Sequence, residues 1–113
     1  MQASEYQAAA LRTCPRTANP IEDQRSLMFA LCGLGIVGEA GEVAELIKKH
    51  LFHGHLLDRD KVISELGDVL WYITVLAAEL NVPLEVLFEH NISKLRKRYP
   101  SGFSPEASKN QEA

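Results

Sequence analysis

The chain has 113 residues, enough for one domain around one hydrophobic core. Apolar residues make up 46% of it and charged residues 24%, the balance of an ordinary soluble globular protein. Twelve Lys and Arg against fifteen Asp and Glu leave a net charge of −3, which argues against a nucleic-acid binder, because phosphate contacts need concentrated positive charge.

Met1-Gln2-Ala3-Ser4-Glu5 lacks the basic start and apolar stretch of a secretory signal. The longest uncharged apolar run, Leu27 to Gly38, is too short to span a bilayer. Cys14 and Cys32 form no C-x-x-C pair and read as reduced thiols. The expectation is a cytoplasmic protein with neither membrane nor nucleic acid as partner.

In chain order, Ser4 reads as the cap of a short helix over about 4–13, ended by Cys14-Pro15. Asn19-Pro20-Ile21-Glu22 then opens a second helix, 20–52. This helix holds Gly33, Gly35, Gly38 and Gly41, each costing about 1 kcal/mol relative to Ala. Such a density predicts either a local break or a close backbone approach. His53-Gly54-His55 is a turn, and Asp58 caps a third helix over 58–80. Its apolar stripe is Val62, Leu66, Val69, Ile73, Leu76 and Leu80. Asn81-Val82-Pro83 starts the last helix, 83–99, which Pro100 stops. The expected fold is one all-α, four-helix-bundle-like domain over 1–103, followed by a mobile tail, 104–113.

Two acidic pairs carry the chemistry. Glu39-Ala40-Gly41-Glu42 and Glu65-Leu66-Gly67-Asp68 each set two carboxylates one helical turn apart on one face. The pairs are mirrored about His53-Gly54, so an antiparallel hairpin brings Glu39 level with Asp68 and Glu42 level with Glu65. Four converging carboxylates need a counter-charge. An all-oxygen donor set favours Mg²⁺, with Mn²⁺ as a substitute, over Zn²⁺. The Glu-x-x-His of di-iron bundles is missing. A lone E-x-x-E is common on wet helix faces; two, mirrored and set in apolar sequence, are not.

Asn91, Lys94 and Arg98 share one face of the last helix, where cations also suit the helix C-terminus. A basic face opposite a metal site is what a polyphosphate needs. Trp71 is a candidate substrate contact, together with Tyr72, although aromatics at helical spacing are more often core. His53 and His55 read as an exposed polar turn. The third helix carries further apolar residues at Ile63, Leu70 and Ala77, and its opposite side, Ser64, Gly67, Trp71, Thr74 and Ala78, is uncharged. A helix with so little polar surface is buried nearly all round. The expectation is an obligate homo-oligomer.

The run Gly35 to Glu45, Gly-Ile-Val-Gly-Glu-Ala-Gly-Glu-Val-Ala-Glu, resembles the MazG-like nucleotide pyrophosphohydrolases. So do Glu-Leu-Gly-Asp-Val-Leu-Trp-Tyr from Glu65 to Tyr72, and Asn91-Ile92-Ser93-Lys94-Leu95 with Arg98-Tyr99-Pro100 and Gly102-Phe103 following. The resemblance implies an all-α enzyme that cleaves an NTP or dNTP with Mg²⁺ to monophosphate and pyrophosphate, as in nucleotide-pool house-cleaning. It implies metal binding by Glu39, Glu42, Glu65 and Asp68, and places Asn91, Lys94 and Arg98 near the phosphates or nucleotide. It also implies a homodimer or homotetramer. Water would attack the α-phosphorus in line, with Glu39, Glu42, Lys94 and Arg98 as the catalytic set. Gly38 stands where many relatives carry an additional Glu. The rival readings are a phosphoribosyl-ATP pyrophosphohydrolase and a non-catalytic helical interaction module.

Overall fold

A computed structural model describes residues 1–15 and 24–110. Five helices follow one another: α1 (Ala3–Leu11), α2 (Gln24–Phe52), α3 (Arg59–Glu79), α4 (Leu84–Arg98) and α5 (Pro105–Lys109). Among the described residues there is no strand, and the all-α expectation holds. The predicted start of the second helix at Asn19-Pro20 lies outside the described residues.

The first helix is capped by Gln2, two residues before Ser4, because Glu5 reaches back to it: the Gln2 backbone N–H donates to Glu5 Oε1 at 3.3 Å. Between Gln24 and Phe52, α2 is unbroken through all four glycines, so the expected break does not occur there. At Gly35 the alternative holds. A Cβ there would collide with the Tyr72 ring, so the missing side chain is what lets α3 lie against α2. Among the described residues, Gly33, Gly38 and Gly41 meet nothing across the fold.

Gly54, at φ +74°, turns the chain from α2 to α3 in a conformation that favours glycine. Asp58 then caps α3, its Oδ1 accepting from the Lys61 N–H at 3.1 Å. The resulting α2–α3 hairpin is the backbone of the fold. At the far end of α3, Val82 N–H bonds Ala77 O at 3.0 Å and Asn81 N–H bonds Ala78 O at 2.9 Å, with Asn81 at φ +59°. That is a Schellman ending, and Pro83 prevents any continuation. The axis turns by 102° into α4. Gln7 of α1 clamps the corner: its Nε2 donates to Thr74 O and Val82 O at 3.3 and 3.4 Å, and its Oε1 accepts from Leu84 N–H at 3.2 Å.

The core is small: Met28, Cys32 and Val75 are buried, with Cys14, Leu31, Trp71, Tyr72 and Leu76 packed around them. The fully inward face of α3 is Thr74, Val75 and Ala77, whereas Leu66 and Leu80 of the expected stripe stand exposed. Thr74 tolerates this because its hydroxyl donates to Leu70 O at 2.7 Å. Among the described residues only six apolar side chains are buried, and the radius of gyration is 17.6 Å, against about 13 Å for a compact chain of this length. One copy is an open V rather than a closed bundle.

Two further features depart from the sequence expectations. Taken whole, α2 is long and apolar enough to cross a membrane, with a mean hydropathy of 1.6 in its most apolar window. It also pairs with α3 and carries Glu39, Glu42 and Glu45, as a core helix of an assembly would. The segment expected to be a mobile tail holds α5, which Ser104 caps by accepting from Ala107 N–H at 3.0 Å. Phe103 packs on Tyr99 with ring centroids 5.5 Å apart.

Candidate metal centre

The hairpin brings Glu39 of α2 together with Glu65 and Asp68 of α3. One carboxylate oxygen from each lies within 4.8 Å of the other two. Glu39 and Glu65 are half-buried and Asp68 is exposed. The cluster crosses the two sequence pairs: Glu39 meets both acidic residues of α3, while Glu42 stands outside and exposed.

The electrostatics distinguish this cluster from an ordinary wet face. Glu39 titrates above its usual 4.5, chiefly through a hydrogen bond with Glu65, then through desolvation and repulsion by Asp68, Glu65 and Glu42. Among the described residues, the charges named as acting on it, Asp68, Glu65 and Glu42, are all negative. Glu45, two turns along, behaves oppositely: Lys48 at 2.9 Å and Lys49 at 3.8 Å hold its carboxyl below the usual range, the Lys48 hydrogen bond most of all.

The donor set fits a hard divalent cation. Opposite ligands of an octahedral Mg²⁺ stand about 4.2 Å apart, given metal–oxygen distances near 2.1 Å, and neighbouring ones closer. Three oxygens within 4.8 Å of one another would have to draw together, at least two of the three pairs to about 3 Å, to share one ion. Glu39, Glu65 and Asp68 would hold it.

A cleft of about 320 Å³ opens beside the cluster, lined by Thr13, Glu39, Asp68, Trp71 and Tyr72. Trp71 and Tyr72 meet edge to face, with centroids 5.0 Å apart and planes at 86°. No residue of α4 lines it. Asn91, Lys94 and Arg98 are exposed, and Asn91 instead lines an apolar groove of about 750 Å³ in the α3–α4 crook, with Leu70 and Ile73. At 1.5 Å per residue, Asp68 lies about 18 Å from the corner along one arm and Lys94 about 15 Å along the other. With the 102° turn, their backbones are roughly 20 Å apart in one copy.

Residues 30–103 match the MazG nucleotide pyrophosphohydrolase domain. The chain belongs to the MazG family. Over 73 residues it is 41% identical to the Gene 37 protein of Mycobacterium phage L5, a stretch covering 61% of this chain and 64% of that protein. The chain thus spans just under two thirds of that relative's length. No solved structure matches significantly.

The MazG span holds all three clustered carboxylates and all of α4, but α1 and Thr13 precede it. Both contribute to the site, and neither is singled out by sequence reasoning. Tyr6 of α1 lies close enough to Asp68 for that charge, added to the larger effect of burial, to raise its phenol's pKa above 10.0. Thr13 accepts a hydrogen bond from the Trp71 indole at 2.8 Å. No local pattern marks them, since their partners lie about sixty residues away in the chain.

Proposed function

We propose that this chain is a Mg²⁺-dependent nucleoside triphosphate pyrophosphohydrolase, releasing monophosphate and pyrophosphate from an NTP or dNTP. The observation that carries the reading is the convergence of Glu39, Glu65 and Asp68, with one oxygen of each within 4.8 Å of the other two, inside a MazG domain. A divalent cation there supplies charge neutralisation for the phosphate oxygens.

The chain's own residues do the rest. Glu39, Glu65 and Asp68 would hold that cation. Glu42, one turn along and outside the cluster, takes the proton of the water that attacks the α-phosphorus in line. Trp71 walls the cleft against the nucleoside. Asn91, Lys94 and Arg98 bind the phosphates and stabilise the departing pyrophosphate. Their backbones lie roughly 20 Å from the carboxylates in one copy, which supports a reading in which α4 of a second copy supplies them.

Self-association is part of this proposal. Leu34, Val37, Gly38 and Gly41 follow the i, i+3, i+4, i+7 spacing of a single helix face. Leu34 is 75% and Val37 72% exposed, and both glycines are open. A homodimer or homotetramer closes such a face, and a protein so assembled has no need of lipid around α2. We place it in the cytoplasm.

The test is a substrate panel: each common NTP and dNTP with Mg²⁺, assayed for monophosphate and pyrophosphate. Turnover of at least one nucleotide is expected. Orthophosphate as the first product, or no turnover of any nucleotide, overturns the reading and leaves an interaction module; a preference for phosphoribosyl-ATP would move the substrate within the same chemistry.

A further inference from the structure

We propose that Thr13 is a positioning residue for Trp71, and that it makes the N-terminal helix a working wall of the nucleotide pocket. The inference deepens the functional reading above and rests on it. Trp71 Nε1–H donates to Thr13 Oγ1 at 2.8 Å. The single proton of that hydroxyl is already committed, donated to Ala10 O at 2.8 Å, and the Thr13 N–H closes the last turn onto the same carbonyl at 3.0 Å. Oγ1 therefore presents a lone pair in a fixed direction, anchored to the end of α1. A Trp N–H has no other role than to donate, so one bond sets the indole's rotation.

The orientation propagates. Trp71 meets Tyr72 edge to face, and the Tyr72 ring occupies the space that a side chain at Gly35 would need. Thr13, Trp71, Tyr72 and Gly35 thus form one chain of contacts from α1 to α2, across the cleft that Glu39 and Asp68 also line. Trp71 and Tyr72 follow Asp68 by three and four residues, so they stand one turn, about 5.4 Å, from a metal-holding carboxylate. A nucleoside attached to a triphosphate held at the carboxylates projects over that distance, and a flat base gains by meeting an aromatic side chain. Fixing the indole before the substrate arrives removes an ordering cost from binding rather than from the chemical step. Thr13 precedes the residues matched to the MazG domain, so the device belongs to this chain's own N-terminal segment.

Trp71 is the single tryptophan, so intrinsic fluorescence reports on it alone. The experiment compares the full-length chain with Thr13→Val, which keeps the shape and removes the hydroxyl, and with Thr13→Ser, which restores it. Steady-state kinetics are run on whichever dNTP or NTP turns over best with Mg²⁺, and Trp71 emission is titrated with the same nucleotide. Thr13→Val is expected to shift the emission of the unliganded protein and to raise KM roughly three- to ten-fold, the size of one neutral hydrogen bond. Its kcat should stay within about twofold, and Thr13→Ser should recover both signals. A wild-type KM in Thr13→Val overturns the proposal, even if the emission shifts, because Thr13 would then be only a helix end. A fall in kcat alone overturns it too. The two readings separate at the wild type: if nucleotide quenches Trp71 without being hydrolysed, and Thr13→Val weakens that quenching, hydrolysis falls while the positioning role stands. With neither quenching nor turnover, both fall.

Discussion

The carboxyl group of Glu39 hydrogen-bonds that of Glu65 across the α2–α3 hairpin. Two ionised carboxylates repel at such a distance, so the contact requires a shared proton, and this is the first cause of Glu39's raised pKa. A carboxyl whose folded-state pKa exceeds its unfolded value holds its proton more tightly when folded. Its contribution to stability is full below the unfolded value and is lost as pH rises through the folded one. Without metal, the protein is therefore expected to melt at progressively lower temperature as pH climbs out of the ordinary carboxylate range through Glu39's raised value. Mg²⁺ replaces the proton. Near neutral pH and at about 100 times its dissociation constant, it should raise Tm by on the order of 10 °C, with a smaller gain in acid, where protons compete. Scanning calorimetry with and without Mg²⁺ checks this. An apo Tm that rises over that pH window, or a Tm indifferent to Mg²⁺, contradicts it.

Glu42 and Asp68 should fail differently when neutralised. Asp68→Asn removes a ligand, so calorimetric Mg²⁺ binding is lost and turnover falls about 100-fold or more. Glu42→Gln removes a proton acceptor outside the cluster, and turnover should fall by about 10²- to 10⁴-fold while Mg²⁺ still binds. Loss of Mg²⁺ binding in Glu42→Gln would make Glu42 a fourth ligand instead.

Much of this site is legible in the chain because its determinants are local. Mirrored E-x-x-E and E-x-x-D spacings about a glycine turn are enough to bring Glu39 beside Asp68. The crossing to Glu65, and the exclusion of Glu42, depend on how two helices rotate about their axes, which spacing alone does not set. The face of α3 is a similar case. Its strongest apolar stripe predicts the inward side, yet Cys32 and Met28 pack on Val75, with the Tyr72 ring beside them in the space that Gly35 leaves open. Thr13 and Gln7 leave no sequence signature, since what they bond is brought to them by the α3–α4 corner.

Gly35 should be irreplaceable for a steric reason specific to Tyr72. Ala is worth about 1 kcal/mol more than Gly inside a helix, but overpacking against a ring held by Trp71 costs about 1–3 kcal/mol. Gly35→Ala is thus expected to lower stability by roughly 1 kcal/mol in urea unfolding. In Tyr72→Leu the same substitution should become neutral or stabilising, a coupling that a double-mutant cycle measures directly. Equal effects in both backgrounds would mean that the ring is not what Gly35 accommodates.

The open face of α2 gives the last prediction. Gly38 and Gly41 lie on the same stripe as Leu34 and Val37 and meet nothing among the described residues, so their helix penalty, about 1 kcal/mol each, has no compensation there. Exposed Leu and Val beside glycine let a second backbone come close, and a patch that meets itself generates a closed two-fold dimer. Further apolar side chains, among them Leu66, Leu70 and Phe88, stand exposed on α3 and α4, so a second contact and a tetramer are also open to the chain. Light scattering at micromolar concentration should therefore give at least twice the 12.6 kDa of one chain. Val37→Asp sets a charge in the middle of the stripe, and burying it unpaired should drive the assembly toward monomers with loss of thermal stability. Because α4 of one copy serves the carboxylates of the other in this scheme, the dissociated variant should also lose turnover, although Val37 faces away from the cleft residues. A stable 12.6 kDa wild-type monomer, or a Val37→Asp variant that dissociates and keeps full activity, would sink the shared site.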